Sequence, residues 1–336
     1  MGIHFLFKTA ARLVKIFVAA LIVVFCIDPK LIYAQQVSLS IDPPIVQTRI
    51  KPGKSILIAY STENKGDPIA LKYTIYSFAP VGRNGGVQLS PLDGPIVFRM
   101  ENADITFDKP FFFNTKDRKQ ALIRITVPDT TPEGDYYYMV VAETVPNSPS
   151  EGRSSSLASA QLGSPLLITV TENGNSEAQA KIAEFKVDGT YDFTFGKNTY
   201  HFVDSSQQLP VTLVIENLGK NVVQPEGSIK VRNGSSVKSY PLLSQNVLKY
   251  SERLIKTNPT TNTPSHLSAM LGGFGVGKHT ISAEVSYGIN SGVQFAQKEV
   301  VAVPVRFGLL FLAALAISLI LIVFSHKSKK TDKDMS

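Results

Sequence analysis

Between residues 37 and 303, apolar and polar side chains alternate at a period of two over many short stretches. That pattern predicts strands with one face turned to a core. In 280–287, Ile281, Ala283, Val285 and Tyr287 fall on one face, and Thr280, Ser282, Glu284 and Ser286 on the other. The same alternation runs through 37–41, 71–75, 121–127 and 211–215. Turn chemistry separates the stretches, among them Pro52-Gly53, Asn84-Gly85-Gly86, Pro132-Glu133-Gly134, Asn217-Leu218-Gly219 and Asn233-Gly234. No segment of this region carries the apolar stripe of an amphipathic helix. Many short strands broken by such turns predict an all-β fold of sandwich type.

A repeat within the pattern predicts two sandwiches. The strand at 58–66 ends in Glu63-Asn64-Lys65-Gly66, and the strand at 212–219 ends in Glu216-Asn217-Leu218-Gly219. Gly134 and Gly277 each launch a late strand. The expected organisation is a first Ig-like β-sandwich domain at 35–173, a linker at 174–177 and a second at 178–303. The linker region is polar and turn-rich. The stretches 146–159 and 258–264 read as surface loops, where binding residues concentrate.

The two ends break the pattern with long apolar runs. Lys8, Arg12 and Lys15 precede the run 16–27, and Ile32-Tyr33-Ala34 supplies a small residue for a signal peptidase. A signal peptide at 1–34 is expected, cut between Ala34 and Gln35. Lipidation at Cys26 is disfavoured because Phe25, a bulky residue, stands before it. The run 307–324 is uncharged and is followed by Lys327, Lys329, Lys330 and Lys333. It predicts a transmembrane helix with a basic cytoplasmic tail at 325–336. The expected location is the cell membrane, single-pass, with the bulk of the chain extracellular.

Composition narrows the chemistry. The formal net charge of +7 is concentrated at the two ends, and the middle is near neutral, so a nucleic-acid partner has no electrostatic support. The one cysteine lies in the expected signal, which leaves no disulfide, thiolate nucleophile or cysteine-held zinc. The segment 272–279 imitates a phosphate-binding loop, but His279 stands where a magnesium-holding hydroxyl belongs and a strand follows. No nucleotide is expected. No nucleophile elbow or metalloprotease helix is present, and the expectation is no enzyme and no cofactor. Asp129, Glu133 and Asp135 around one turn are the calcium candidates, weighed against simple decoration of an exposed turn. In the runs Phe111-Phe112-Phe113 and Tyr136-Tyr137-Tyr138 the middle residue faces away from its neighbours. Phe112 and Tyr137 are therefore the candidate ligand contacts, Tyr137 being the preferred exposed member.

The order of parts adds a resemblance. Leu39-Ser40-Ile41-Asp42-Pro43-Pro44, then Ile50-Lys51-Pro52-Gly53-Lys54-Ser55 and Glu63-Asn64-Lys65-Gly66, resemble the opening of Ig-like modules on bacterial surfaces. The segments 127–136 and 163–170 strengthen the likeness. The layout as a whole resembles the WxL-interacting surface proteins of Gram-positive bacteria, more clearly over 37–171 than over 178–303. That resemblance implies peptidoglycan and a cell-surface protein as partners. The expected function is non-enzymatic binding: adhesion, scaffolding or attachment to the wall. The alternatives are an accessory subunit of an envelope or secretion complex and an extracellular hydrolase with an unrecognised site.

Overall fold

A computed structural model describes residues 36–145, 159–176, 178–258, 263–288 and 292–333. The expected signal, with Ala34 and Gln35, lies outside the described residues. Among the described residues, ten strands form the N-terminal half. They are β1 (Leu39–Asp42), β2 (Val46–Ile50), β3 (Ser55–Asn64), β4 (Ile69–Val81), β5 (Gly86–Pro91), β6 (Val97–Met100), β7 (Phe111–Phe113), β8 (Arg118–Thr126), β9 (Gly134–Val145) and β10 (Gln161–Val170). Ten more form the C-terminal half. They are β11 (Ala180–Val187), β12 (Tyr191–Phe195), β13 (Asn198–Asp204), β14 (Leu209–Asn217), β15 (Glu226–Asn233), β16 (Ser236–Pro241), β17 (Glu252–Leu254), β18 (Ala269–Leu271), β19 (Gly277–Ser286) and β20 (Gln294–Val303). The helix α1 (Val305–Lys333) follows.

Each half makes two sheets of its own. In the first, one sheet has the order β1-β3-β8-β6 and the other β2-β10-β9-β4-β5, with β7 also on β4. In the second, the orders are β11-β14-β17, with β18 also on β14, and β12-β13-β20-β19-β15-β16. The chain crosses between sheets in the same way twice. β1 lies antiparallel to β3 while β2 lies parallel to β10, and β11 lies antiparallel to β14 while β13 lies parallel to β20.

Alternation explains the cores. Tyr60, Leu71, Tyr73, Ile123, Ile125, Tyr138, Leu166 and Ile168 fill the space between the first pair of sheets. Val211, Leu213, Ile215, Ile229, Ile281 and Val300 fill the second. Each such buried side chain contributes roughly 1.5–3 kcal/mol relative to an exposed one, so burial carries each half without a cross-link.

The Glu-Asn-x-Gly repeat is one structural device used twice. Asn64 is fully buried, and its amide donates to the carbonyls of Asp67, Phe113 and Asn114 at 2.8, 3.2 and 3.1 Å. Its side-chain oxygen accepts from the Gly66 N–H at 3.0 Å. Asn217 donates to the carbonyls of Asn221 and Val247 at 2.7 and 2.9 Å, and accepts from the Gly219 N–H at 2.9 Å. Each asparagine ends a strand and satisfies the backbone that turns beneath it.

The predicted membrane crossing is corrected. Among the described residues no helix is long and apolar enough to cross a membrane. The single-pass location read from 307–324 is withdrawn with it. Lys327, Lys329, Lys330 and Lys333 fall in the last turns of α1, and the topology assigned to them goes with the crossing.

Candidate binding cleft between the two halves

The two middle aromatics meet different fates. Phe112 is 59% exposed on β7, as alternation predicts. Tyr137 is 7% exposed, a correction to its place as the preferred exposed member. It does lie on the face of β9 opposite the core that holds Tyr138. What the sequence pattern does not reveal is that the C-terminal half covers this second face, where Tyr137 packs with Phe78, Met139, Leu167 and Leu248.

The cover is held by a buried carboxylate. Asp135, 1% exposed, accepts from Thr169 Oγ1 at 2.7 Å, Asn221 Nδ2 at 3.0 Å, Tyr137 Oη at 3.2 Å and the Val222 N–H. From the other side the Lys249 N–H donates to Tyr137 Oη at 2.8 Å, and Lys249 Nζ donates to the Asp135 carbonyl. The Lys249 ammonium also stands 5.3 Å from the Tyr136 ring centre and 5.6 Å from that of Tyr137. Burial pushes the Lys249 ammonium down from its ordinary value, with the Asp135 charge opposing. Burial, reinforced by the same carboxylate, pushes the Tyr137 phenol up.

A second contact lies on the turn between β4 and β5. Arg83 bonds Glu184 at 3.0 Å and Glu252 at 2.7 Å, and its carbonyl accepts from the Leu254 N–H at 2.7 Å. Exposed ion pairs of this kind contribute about 0–1 kcal/mol. The buried Asp135 network and the apolar contact of Leu248 therefore dominate the joint, and Arg83 fixes its angle.

The three calcium candidates do not converge on one point among the described residues. Asp135 is filled by protein donors, Glu133 pairs with Lys220 at 3.4 Å and accepts from the Glu172 N–H at 2.8 Å, and the Asp129 carboxylate sits against Gly53. Among the described residues no group of three or more metal-binding side chains comes together. The phosphate-loop imitation is likewise closed. His279 is buried, donating Nε2–H to the Gly275 carbonyl at 2.6 Å with its ring edge-on to Phe274.

Beside the joint lies an open, polar cleft of about 1210 Å³. Gln47, Thr48 and Arg49 of β2 form one wall, Asn173, Gly174, Asn175, Ser176, Ala178 and Gln179 the floor, and Gln224 and Glu226 part of the far wall. Consecutive side chains on a strand point to opposite faces. Three in a row on the wall means that the edge of β2, the outermost strand of its sheet, borders the cleft. Gln224 Nε2 reaches Gln47 Oε1 across it at 3.3 Å. The Arg49 guanidinium is exposed and makes no hydrogen bond or ion pair among the described residues.

Sequence reading missed this cleft. The alternation Val46-Gln47-Thr48-Arg49-Ile50 between two proline-bearing turns is a strand signal, but nothing in it says that the strand ends a sheet.

No family model matches the chain, and no curated protein matches it. Among solved structures it is similar to the class 5 fimbriae chaperone CfaA, at 13% identity over 79% of this chain and 100% of that one, with a TM-score of 0.35. It is also similar to the E. coli chaperone DraB, at 13% identity over 80% and 98%, with a TM-score of 0.32. A Pseudomonas aeruginosa chaperone matches at 10% identity over 77% and 99%, with a TM-score of 0.33. Likenesses this distant assign no function to the chain.

Proposed function

We propose that this chain is a non-enzymatic binding protein of two tandem Ig-like β-sandwich domains, 35–173 and 178–303, which takes its partner in the cleft between them. The partner is cell-wall material or a protein held at the cell surface. The observation that carries the reading is a polar cleft beside a pinned joint, with Arg49 left without a counter-charge among the described residues. A joint fixed from two sides keeps the cleft open before anything binds, which lowers the ordering cost of association. A free guanidinium offers a planar fork of donors suited to a carboxylate. The likeness of the opening motifs to WxL-interacting proteins supports wall or surface-protein partners.

The test is retention of the full-length protein on cell-wall sacculi, with and without their bound proteins. Retention is expected, and Arg49→Glu is expected to lower it about tenfold, equivalent to about 1.4 kcal/mol, with no change in melting temperature. Retention on stripped sacculi identifies the wall as partner; retention only on protein-bearing sacculi identifies a protein. Equal retention of Arg49→Glu would remove the partner from the cleft, and no retention on either material would end the reading.

A further inference from the structure

The two halves differ at one strand edge. In both, the last strand is antiparallel to its predecessor and parallel to an early strand: β10 with β9 and β2, β20 with β19 and β13. The launching glycines align the halves. Gly134 is opposite Val170, which is opposite Ile50; Gly277 is opposite Ala302, which is opposite Val203. Ile50 and Val203 therefore hold the same place, and both are buried. Counting back, Gln47 and Arg49 hold the places of Tyr200 and Phe202.

In the C-terminal half those places are taken. β12 lies antiparallel along β13, with Phe193 opposite Tyr200 and Tyr191 opposite Phe202. In the N-terminal half no strand lies there among the described residues, and β2 ends its sheet. The direction of its free backbone groups follows from one bond. The Thr171 N–H donates to the Ile50 carbonyl at 3.3 Å, so Ile50, Thr48 and Val46 address β10. In a parallel ladder the alternate residues address the other side, which leaves the N–H and C=O of Gln47 and Arg49 on the open edge. Proline, a bulge or a charged side chain keeps an edge strand from pairing; β2, Val-Gln-Thr-Arg-Ile in unbroken register with β10, has no proline and no bulge, and its one charge is Arg49.

Resting on the cleft reading, we propose that the partner is a protein. One extended segment of it adds antiparallel to β2, as β12 adds to β13, and places an acidic side chain against Arg49. Main-chain bonds to Gln47 and Arg49 supply the affinity, and the Arg49–carboxylate pair selects the segment. Glu226 on the far wall repels a second acid, so one acidic position is selected rather than a run.

The probe is a synthetic hexapeptide, Thr-Val-Thr-Glu-Thr-Val with blocked ends, and two variants with Gln or Lys in place of Glu. Amide hydrogen exchange is followed on the full chain. At millimolar Glu peptide, exchange in 46–50 is expected to slow at least tenfold, with the order Glu, then Gln, then Lys. Gln47→Pro removes an N–H from the open edge only, a place where a strand tolerates proline, and is expected to abolish the protection. Gln47→Ala is expected to keep it, and Arg49→Gln to keep it while erasing the order among peptides. No slowing with any peptide, or full protection in a folded Gln47→Pro variant, would overturn strand addition, and equal slowing with all three would overturn the selection by Arg49. If sacculus retention still depends on Arg49 while the peptides give nothing, the cleft reading stands and this one falls. If neither is seen, both fall.

Discussion

Asn64 and Asn217 show how much one side chain can hold. Each is buried, and each satisfies backbone groups that water cannot reach. A buried polar group left without its partner costs about 1–3 kcal/mol, and Asn217→Ala strands several. The variant is expected to lose about 3 kcal/mol in urea unfolding, whereas a loss under about 0.5 kcal/mol would show that the asparagine is dispensable. These two residues were legible as a repeated Glu-Asn-x-Gly. Arg49 was not, because a strand-borne arginine reads as ordinary surface until its neighbours are known. The buried tyrosines give a pH prediction. Desolvation raises Tyr60, Tyr73, Tyr137, Tyr138 and Tyr287 above the usual 10.0, Tyr138 to about 12. Up to pH 10 both folded and unfolded chains keep these protons. Above it the unfolded chain loses them first, so stability falls as pH rises towards the folded values. Lys249 and Arg253, pushed down by burial, act in the opposite sense but are two groups against five. Melting temperature is therefore expected to drop steeply between about pH 10 and 12, and a flat profile there would contradict the burial.

Strands β4, β8, β14 and β19 were legible because they alternate and their turns are marked by glycine, asparagine or proline, and β9 because Gly134 launches it. Their partners were not, since register is set by what lies across the sheet. Tyr137 illustrates the limit: alternation puts it opposite the core, and only the second half turns that face into an interface. β12 is a second case. Tyr191, Phe193 and Phe195 are 66%, 58% and 73% exposed on one face of this edge strand, where alternation alone predicts burial. The pairing of β15 with β19 depends on Gly227, at φ +144°, where a Cβ would come 1.9 Å from the Glu284 carbonyl oxygen. Gly227→Ala is expected to destabilise by at least about 2 kcal/mol in urea unfolding and to speed amide exchange in β15. Wild-type stability in that variant would mean that the two strands are not held as described.

Across the whole molecule, two cores with no residue in common are coupled through one buried carboxylate, a small apolar contact and the contacts of Arg83. If the Asp135 network carries the coupling, Asp135→Ala leaves both cores intact and frees one from the other. Calorimetry is expected to show the single unfolding transition of the wild type split into two; one unsplit transition in the variant would place the coupling elsewhere. Each half builds its own sheets; the joint and its cleft were not readable in the sequence, because they arise from residues far apart in it. The measurement that bears most directly on the cleft as the binding place is amide hydrogen exchange of the full chain, free and bound to protein-bearing sacculi. Slowed exchange confined to 46–50 and 222–226 is the result predicted. Slowing at β7 around Phe112 or at β12 instead, or no slowing at the cleft in a chain that is retained, would contradict it.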